Sequence, residues 1–176
     1  MFPIDSEFYF RKLERSDLDQ LKHLKDETWI YNHNTVILNF DDQIKWFESL
    51  DKNTIQPKNL ILVLCGKSEF LGVFKLFDID WINQSVNVGW DIIVSQRGFG
   101  YGHKIVCGGK EFCFNKLNLR KLNCEILSNN EASIKCALKA GFLLEGVKRE
   151  SVYKEGVYLD SHVYSVLKSH SELTSF

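Results

Sequence analysis

The chain has 176 residues, of which 44% are apolar and 13% aromatic, and this composition is sufficient for one domain with a substantial core. The charged fraction of 26% and the formal net charge of −1 exclude a disordered chain and give no electrostatic reason to bind nucleic acid. No run approaches about 18 apolar residues, and residues 1–12 lack an apolar signal core, so no membrane partner is expected. We expect a cytoplasmic protein with a single domain over residues 1–176 and a core at residues 7–168.

The cysteines are odd in number, and no two of them have the Cys-x-x-Cys spacing. Neither a metal site nor a disulfide framework is therefore expected, and buried free thiols in a reducing compartment are the better interpretation. The five residues are Cys65, Cys107, Cys113, Cys124 and Cys136.

The first third of the chain predicts one strand and two helices. Residues 7–13 read as a strand, and Ser16 as the N-cap of a helix with Leu18, Leu21 and Leu24 on one stripe. Asp41 or Asp42 is expected to cap a second helix. Residues 29–40 between the two helices predict a loop or irregular helix. The apolar residues of the second helix are Ile44, Trp46, Phe47 and Leu50.

The rest of the chain alternates predicted strands and helices. The predicted strands are residues 60–65, 70–80, 86–94, 121–127, 142–151 and 157–167. The predicted helices are residues 103–116 and 131–140, and Gly141 ends the second of them. The predicted turns are residues 66–68, 81–84 and 154–156. This order predicts an α+β fold with a single mixed, mostly antiparallel sheet flanked by helices.

Three alternate glycines lie between a predicted strand and a predicted helix, in the run Arg97-Gly98-Phe99-Gly100-Tyr101-Gly102. Bare backbone N–H groups at a helix N-terminus bind anions, so the run predicts a phosphate cradle. A tight turn in which glycine merely permits positive φ is the alternative. The spacing is not Gly-x-Gly-x-x-Gly and no Gly-Lys-Ser/Thr follows, so neither a dinucleotide site nor a P-loop is supported.

Three segments together resemble the GNAT superfamily of acetyl-CoA-dependent N-acetyltransferases. Arg97, Gly100 and Gly102 occupy the fixed positions of its Gln/Arg-x-x-Gly-x-Gly/Ala signature. Residues 130–133 and 139–142 look like its Asn-x-x-Ser and Lys-x-Gly-Phe segments. The tail, residues 145–150 and 156–160, is similar to the branch that contains ribosomal-protein N-terminal, spermidine and amino-sugar acetyltransferases.

The resemblance implies where acetyl-CoA binds. The amides of Arg97, Gly98, Phe99, Gly100, Tyr101 and Gly102 would hold the CoA pyrophosphate. The preceding strand would splay from its neighbour in the centre of the sheet, and its backbone near Ile92 and Ile93 would pair with the pantetheine amides. Asn130 would contact the pantetheine arm or hold the splayed strand, with Ser133 nearby. The residues leave open a purely structural interpretation, because Ser128-x-x-Glu131 forms a capping box with Asn130 in the first turn.

Acetyl transfer to an amine requires a neutral nitrogen and therefore a proton acceptor, whereas the thioester needs no nucleophilic side chain. The tyrosine acid of many superfamily members falls on Ala137, and the carboxylate of polyamine-acetylating relatives falls on Asn87. Asp91 and Glu125 are the candidate catalytic residues. The alternative for each is a structural ion pair, and the expected partner of Glu125 is Lys121 or Arg120. Other candidates are Asp78, Asp80, Tyr158, His162 and Tyr164, and the aromatic residues that could line an acceptor pocket are Trp29, Tyr31, Trp46 and Trp81.

The sequence as a whole favours an N-acetyltransferase that moves an acetyl group from acetyl-CoA to a primary amine by direct attack, without a metal. Residues 41–47 resemble the corresponding helix of amino-sugar-nucleotide acetyltransferases, which favours a small amino-sugar acceptor. A protein N-terminus or a polyamine is the alternative acceptor. A CoA-binding module without catalysis and an ATP-binding regulator are the alternatives from other classes. A homodimer is the expected assembly.

Overall fold

The protein is described by a computed structural model over residues 1–33, 39–50, 55–67 and 69–171. One sheet contains eight strands in the order β1-β2-β3-β4-β5-β6-β8-β7. The strands are β1 (Phe2–Pro3), β2 (Phe8–Lys12), β3 (Leu60–Gly66), β4 (Glu69–Asp80), β5 (Ser85–Ile92), β6 (Lys121–Leu127), β7 (Leu143–Lys154) and β8 (Val157–Leu167). All neighbours are antiparallel except β5 and β6, which are parallel. This confirms the predicted fold class.

Helices cover both faces of the sheet. They are α1 (Leu18–Thr28), α2 (Phe40–Ser49), α3 (Tyr101–Glu111), α4 (Glu131–Lys139) and α5 (Lys168–Ser171). A π-helical segment, Phe112–Lys116, continues α3 to the predicted end of that helix. Among the residues that the structure describes, no helix is both long and apolar enough to span a bilayer.

The core has two layers because alternate residues of the central strands point to opposite faces. Leu62 and Leu64 of β3 belong to the layer that contains Ile105 of α3. Ile61 and Val63 belong to the other layer, where the leucine stripe of α1 packs with Phe47 of α2. The central strands are consequently buried on both faces, and this explains their nearly continuous apolar sequence.

Helix starts are the main corrections to the predicted elements. Ser16 lies in a 3₁₀ turn, Arg15–Asp17, and a reciprocal capping pair of Glu14 and Asp17 precedes α1. Asn39, rather than Asp41 or Asp42, caps α2, and its side chain accepts a hydrogen bond of 2.9 Å from the Asp42 N–H. In both cases a polar residue one to three positions away makes the capping hydrogen bonds, which residue type alone does not reveal.

Other differences concern segments without strong apolar periodicity. Strand β1 and helix α5 were not predicted, and β7 extends to Lys154 rather than to residue 151. The predicted loop at residues 29–40 begins with a 3₁₀ turn, Trp29–Tyr31, and its residues 34–38 lie outside the described residues. Ser68 of the predicted turn at residues 66–68 also lies outside them. The turn at residues 154–156 is confirmed.

Gly109 brings α3 close to the sheet. A Cβ at this position would lie 2.5 Å from ring atoms of the fully buried Phe74. Close packing therefore explains the two consecutive glycines, Gly108 and Gly109, within a helix.

We expect Gly109→Ala to lower the free energy of unfolding. Overpacking costs about 1–3 kcal/mol, which exceeds the gain of about 1 kcal/mol in helix propensity. Urea denaturation measures the change. Gly146→Ala is the matched control, because a Cβ at Gly146 would meet nothing within 4 Å. Equal stability of the two variants would contradict this account of the packing.

Candidate active site

The two central parallel strands separate after a short paired segment. Strands β5 and β6 pair only at Ser85 with Lys121, Val86 with Leu122 and Asn87 with Asn123. Beyond this point β5 continues along β4 and β6 continues along β8. A gap therefore opens in the middle of the sheet, which confirms the predicted splay.

The register in which β5 pairs with β4 decides which backbone groups of β5 face this gap. The Ile93 N–H donates to the Leu71 carbonyl at 3.0 Å, and the Ile93 carbonyl accepts from the Gln96 N–H at 2.9 Å. Ile93 therefore has no free backbone group to pair with pantetheine, which corrects that expectation. Because backbone groups alternate along an antiparallel strand, those of Trp90 and Ile92 face the gap. The Ile92 carbonyl accepts from Arg97 Nε at 3.3 Å. Trp90 faces the gap although the sequence analysis did not name it.

The glycine run forms an exposed turn at the start of α3. Gly98 and Gly100 have φ values of 85° and 83°, and Gly100 is the N-cap residue of the helix. A Cβ at either glycine would meet nothing within 4 Å, so the space beside the turn is open. Residues 98–102 therefore present the N-terminus of an 11-residue helix to solvent, a geometry compatible with a phosphate cradle. The expectation for the Arg97 amide is corrected, because its N–H donates to the Val94 carbonyl at 3.2 Å.

The first turn of α4 contains the second predicted cofactor segment. Asn130 is the N-cap, and its side-chain oxygen accepts from the Ser133 N–H at 3.2 Å. The predicted capping box started instead at Ser128, so the position of the cap is corrected by two residues. Asn130 and Ser133 both line the cavity that lies in the gap between β5 and β6. Capping and cavity lining are thus combined in Asn130.

This cavity has a volume of about 1240 Å³ and is bounded by α1, α2, β5 and β6. Trp29, Tyr31 and Trp46 line it, as predicted for an acceptor pocket. Trp81 does not contribute, because its indole N–H donates to the Pro57 carbonyl at 3.1 Å. The volume exceeds that of a site for one small ligand, which is roughly 300–1,000 Å³.

Asp91 lines the cavity and is engaged in an ion pair. Its carboxylate lies 2.5 Å from Lys75 Nζ, and the two side chains are only 12% and 17% exposed. Lys75 lies on β4, two residues from the direct partner of Asp91, so the two side chains lie on the same face of the sheet. The structure thus displays the ion-pair alternative for Asp91.

Glu125 lies at the opposite wall of the cavity, in contact with a histidine. Its Oε2 accepts from Lys148 Nζ at 2.5 Å, and its Oε1 lies 3.5 Å from His33 Nε2. Ser161 Oγ lies 3.4 Å from the same ring nitrogen. The predicted partner Lys121 instead pairs with Glu145. His33 was missed by the sequence analysis, because neither a motif nor periodicity links it to Glu125.

The ionisation of this pair follows from its surroundings. Partial burial opposes the charge of Glu125, but hydrogen bonds from Lys148 and Ser161 outweigh it and hold the pKa of the carboxyl below its usual range. Burial lowers the pKa of His33, although the charge of Glu125 opposes this shift. At neutral pH the cavity therefore holds an uncharged imidazole beside an ionised carboxylate, an arrangement suited to accept a proton.

The remaining candidate residues do not line the cavity. Asp80 accepts from the N–H groups of Ile82 and Asn83 in a turn, and Tyr158 is 64% exposed at the β7–β8 hairpin. The other candidates that do not line the cavity are Asp78, His162 and Tyr164.

The cysteines are all free, and one of them lines the cavity. Burial raises the pKa of this residue, Cys124, to about 12, so it does not present a thiolate nucleophile at neutral pH. Within residues 1–33, 39–50, 55–67 and 69–171, no group of three His, Cys, Asp or Glu side chains is placed to hold a metal ion.

Comparison with known proteins agrees with this geometry. Residues 7–143 match the family described as the acetyltransferase (GNAT) domain. The chain therefore belongs to the GNAT acetyltransferase family, and it is an N-acetyltransferase by class.

Individual relatives are distant. The chain is 28% identical over 100 residues to the N-acetyltransferase YoaA of Bacillus subtilis, an alignment that covers 57% of this chain and only 56% of YoaA. It is 22% identical to the spermidine N(1)-acetyltransferase of Vibrio cholerae serotype O1, with 94% of this chain and 96% of that protein aligned.

A solved structure shows the same fold over nearly the whole chain. The crystal structure of spermidine N-acetyltransferase from Vibrio cholerae in complex with CoA and spermine superposes with a TM-score of 0.88. The alignment covers 96% of this chain and 99% of that one, at 22% sequence identity.

Proposed function

We propose that the chain transfers the acetyl group of acetyl-CoA to a primary amine of a small molecule by direct attack. The observation that carries the proposal is the cavity in the gap between β5 and β6, which is lined by strand backbone and α4 on one side and by aromatic residues of the α1–α2 region on the other. The amine nitrogen forms a bond to the thioester carbonyl carbon and gives a tetrahedral intermediate. Its collapse breaks the carbon–sulfur bond, and the leaving thiolate takes up the proton that the nitrogen loses, so that CoA is released as the thiol. The buried thiol of Cys124 supports direct transfer over an acetyl-enzyme.

Acetyl-CoA would be held by backbone groups. The N–H groups of residues 98–102 would bind the pyrophosphate at the start of α3, since the Arg97 N–H donates to the Val94 carbonyl. The pantetheine amides would pair with the backbone of Trp90 and Ile92, in the manner of an added strand. Asn130 and Ser133 would line the same arm.

His33 and Glu125 would together accept the proton that the substrate ammonium must lose. The neutral imidazole accepts a proton from the bound ammonium, directly or through a water molecule, and the carboxylate stabilises the resulting imidazolium; the neutral amine then attacks. Both carboxylates are paired with a lysine, but we assign this role to Glu125 rather than Asp91, because Glu125 also lies 3.5 Å from His33.

Two acceptor classes are supported by different observations. The resemblance of residues 41–47 to amino-sugar-nucleotide acetyltransferases favours an amino sugar. The likeness to spermidine acetyltransferases favours a polyamine. The polar lining includes Asn87, where the resemblance implies a carboxylate in polyamine-acetylating enzymes, and both Asp91 and Glu125 are paired with lysines. These features favour the amino sugar over the polyamine.

A thiol-release assay with acetyl-CoA and a panel of amines tests the activity. We expect CoA formation with a small primary amine that exceeds hydrolysis without an acceptor. Tight CoA binding with no turnover across amino sugars, polyamines and peptide N-termini would instead indicate a non-catalytic module. Preferential stabilisation by ATP over CoA in a thermal-shift assay would indicate a nucleotide-binding regulator.

The pH dependence of turnover follows from the state of His33. The pKa of its imidazole lies below the ordinary value of about 6.5, so the base form already dominates at neutral pH. With saturating amine and acetyl-CoA, we expect kcat to be level near neutral pH and to fall as the pH drops through this lowered pKa. A kcat profile over about pH 5–9 measures the acid limb. An acid limb with its midpoint above pH 6.5 would contradict the assignment of His33 as the base.

A homodimer is our proposal for the assembly. The edge strand β7 and the adjoining hairpin expose large apolar side chains, namely Leu143, Leu144, Val147, Tyr153, Val157 and Tyr158. Contiguous exposed apolar residues commonly mark contacts with another protein surface. The five free thiols support a reducing, cytoplasmic compartment.

A further inference from the structure

One lysine in the cavity is held by uncharged groups. The Nζ atom of Lys25, on α1, lies 4.3 Å from the ring centroid of Trp46 and 3.3 Å from Gln43 Oε1. Its side chain is half-buried and lines the cavity. An ammonium over an indole face is partly compensated by the ring quadrupole, but it keeps its full positive charge.

The other lysines of the cavity are neutralised. The ion pairs are Lys22 with Asp26 at 2.6 Å, Lys75 with Asp91 at 2.5 Å and Lys148 with Glu125 at 2.5 Å. Within the part of the chain that the structure describes, no carboxylate lies within 4.0 Å of Lys25 Nζ. The remaining carboxylate of the cavity, Asp42, accepts from the Asn39 N–H at 3.3 Å in the cap of α2. Lys25 thus forms no ion pair among these residues, and the acidic side chain that acts on it electrostatically, Asp91, is paired with Lys75.

Gln43 explains how this ammonium is kept in place. Gln43 is fully buried on α2, and its Nε2 atom has no hydrogen-bond partner among the described residues. A buried unpaired donor destabilises a fold, and an apolar side chain of similar size would avoid that cost. The presence of an amide at this buried position is explained by its oxygen, which accepts a hydrogen bond from Lys25 and holds the ammonium at the cavity wall. Gln43 is a positioning residue.

We propose that Lys25 binds an anionic oxygen group, a carboxylate or a phosphate, on the acceptor molecule. The acceptor is then a small amine with an anionic group at its other end, and a second ammonium at that end is disfavoured. This inference rests on the proposed acetyl transfer to an amine. Charge-assisted hydrogen bonds from an ammonium to such oxygens are among the stronger polar contacts in proteins.

The ionisation of Lys25 is compatible with this role. Burial, together with the nearby charge of Lys75, lowers the pKa of Lys25 to about 8, while Asp91 opposes the shift. The side chain therefore remains mostly protonated at pH 7, and a bound anion would stabilise the charged form further.

A matched series of acceptors tests the proposal. The members are an alkylamine, the corresponding diamine, the ω-amino carboxylate and the ω-amino phosphate, each with spacers of about three to eight methylene groups. We expect the wild-type kcat/KM to be at least tenfold higher for the carboxylate or the phosphate than for the alkylamine and the diamine of the same length. The two anionic members identify which group is preferred. Preference for the diamine would overturn the proposal.

Variants then assign the preference to this lysine. Lys25→Met should lower kcat/KM at least tenfold for the preferred anionic member and less than twofold for the alkylamine. Gln43→Leu should lower the same preference without reducing the melting temperature, because it removes the unpaired donor. Lys45→Met, an exposed lysine on α2, is the control and should match the wild type. An equal effect of Lys25→Met on all four acceptors would overturn the proposal.

A binding measurement separates this proposal from the proposed function. If no amine in the series releases CoA, the acetyl transfer fails as a function, and the anion site is tested by calorimetry on CoA-loaded protein with the N-acetylated ω-amino carboxylates and phosphates. At least tenfold tighter binding to the wild type than to Lys25→Met would support the site. Equal or undetectable binding to the two proteins would overturn it.

Discussion

Gly100→Val is expected to weaken acetyl-CoA binding by at least a hundredfold while the fold remains intact. Gly100 has a φ of 83°, which a β-branched residue adopts only with strain of about 1–3 kcal/mol. The new side chain would also occupy the open space beside the turn, where a bound pyrophosphate would meet the N–H groups of α3. Calorimetric titration with CoA measures the affinity, and thermal denaturation verifies that the variant is folded.

Gly156→Val separates strain from loss of the cradle. Gly156 has a φ of 88° and equally open surroundings, but it lies in the β7–β8 turn. The two variants therefore carry similar backbone strain, and only the one at Gly100 should lose affinity for CoA. If Gly100→Val binds CoA with wild-type affinity, the glycine turn does not bind the pyrophosphate and the proposal for the cradle is wrong.

His33→Gln is expected to lower kcat by about 10²–10⁴-fold, the usual contribution of a positioned base, with little change in affinity for acetyl-CoA. Glutamine keeps a polar side chain beside Glu125 but does not accept a proton at neutral pH. Steady-state kinetics at saturating amine measure the loss. The acid limb of the pH profile should disappear in the same variant.

Two further variants discriminate between bases. His23→Gln is the control, since His23 is exposed on α1 and does not line the cavity. Asp91→Asn tests the competing candidate, and it should reduce turnover less than His33→Gln does because Asp91 is held by Lys75. If Asp91→Asn abolishes turnover while His33→Gln retains it, the base is Asp91.

The strands and the glycine turn were predictable because their signals are local. Period-2 apolar runs and alternate glycines specify a strand or a turn without knowledge of distant residues. Helix caps depend on competition between neighbouring polar residues. Asp17, for example, accepts from both the Glu14 N–H and Arg11, and this arrangement displaces the helix start from Ser16.

The cavity side chains were harder to predict because their partners come from distant segments. His33 precedes α2, whereas Glu125 and Ser161 lie on β6 and β8. Lys25 meets Gln43 only because α1 and α2 cover the same face of the sheet. The phase of β5, which favours Trp90 over Ile93, is set by hydrogen bonds to β4 rather than by residue type.

The short contact between β5 and β6 has a mechanical consequence. The flanking interfaces, β4 with β5 and β6 with β8, each contain seven residue pairs, whereas β5 and β6 share three. Within the sheet, the half that contains β1 to β5 is thus joined to the half that contains β6, β8 and β7 by three residue pairs. A donor molecule bound between β5 and β6 would therefore contact both halves and occupy the hydrogen-bonding edges that the strands leave unpaired beyond Asn87 and Asn123.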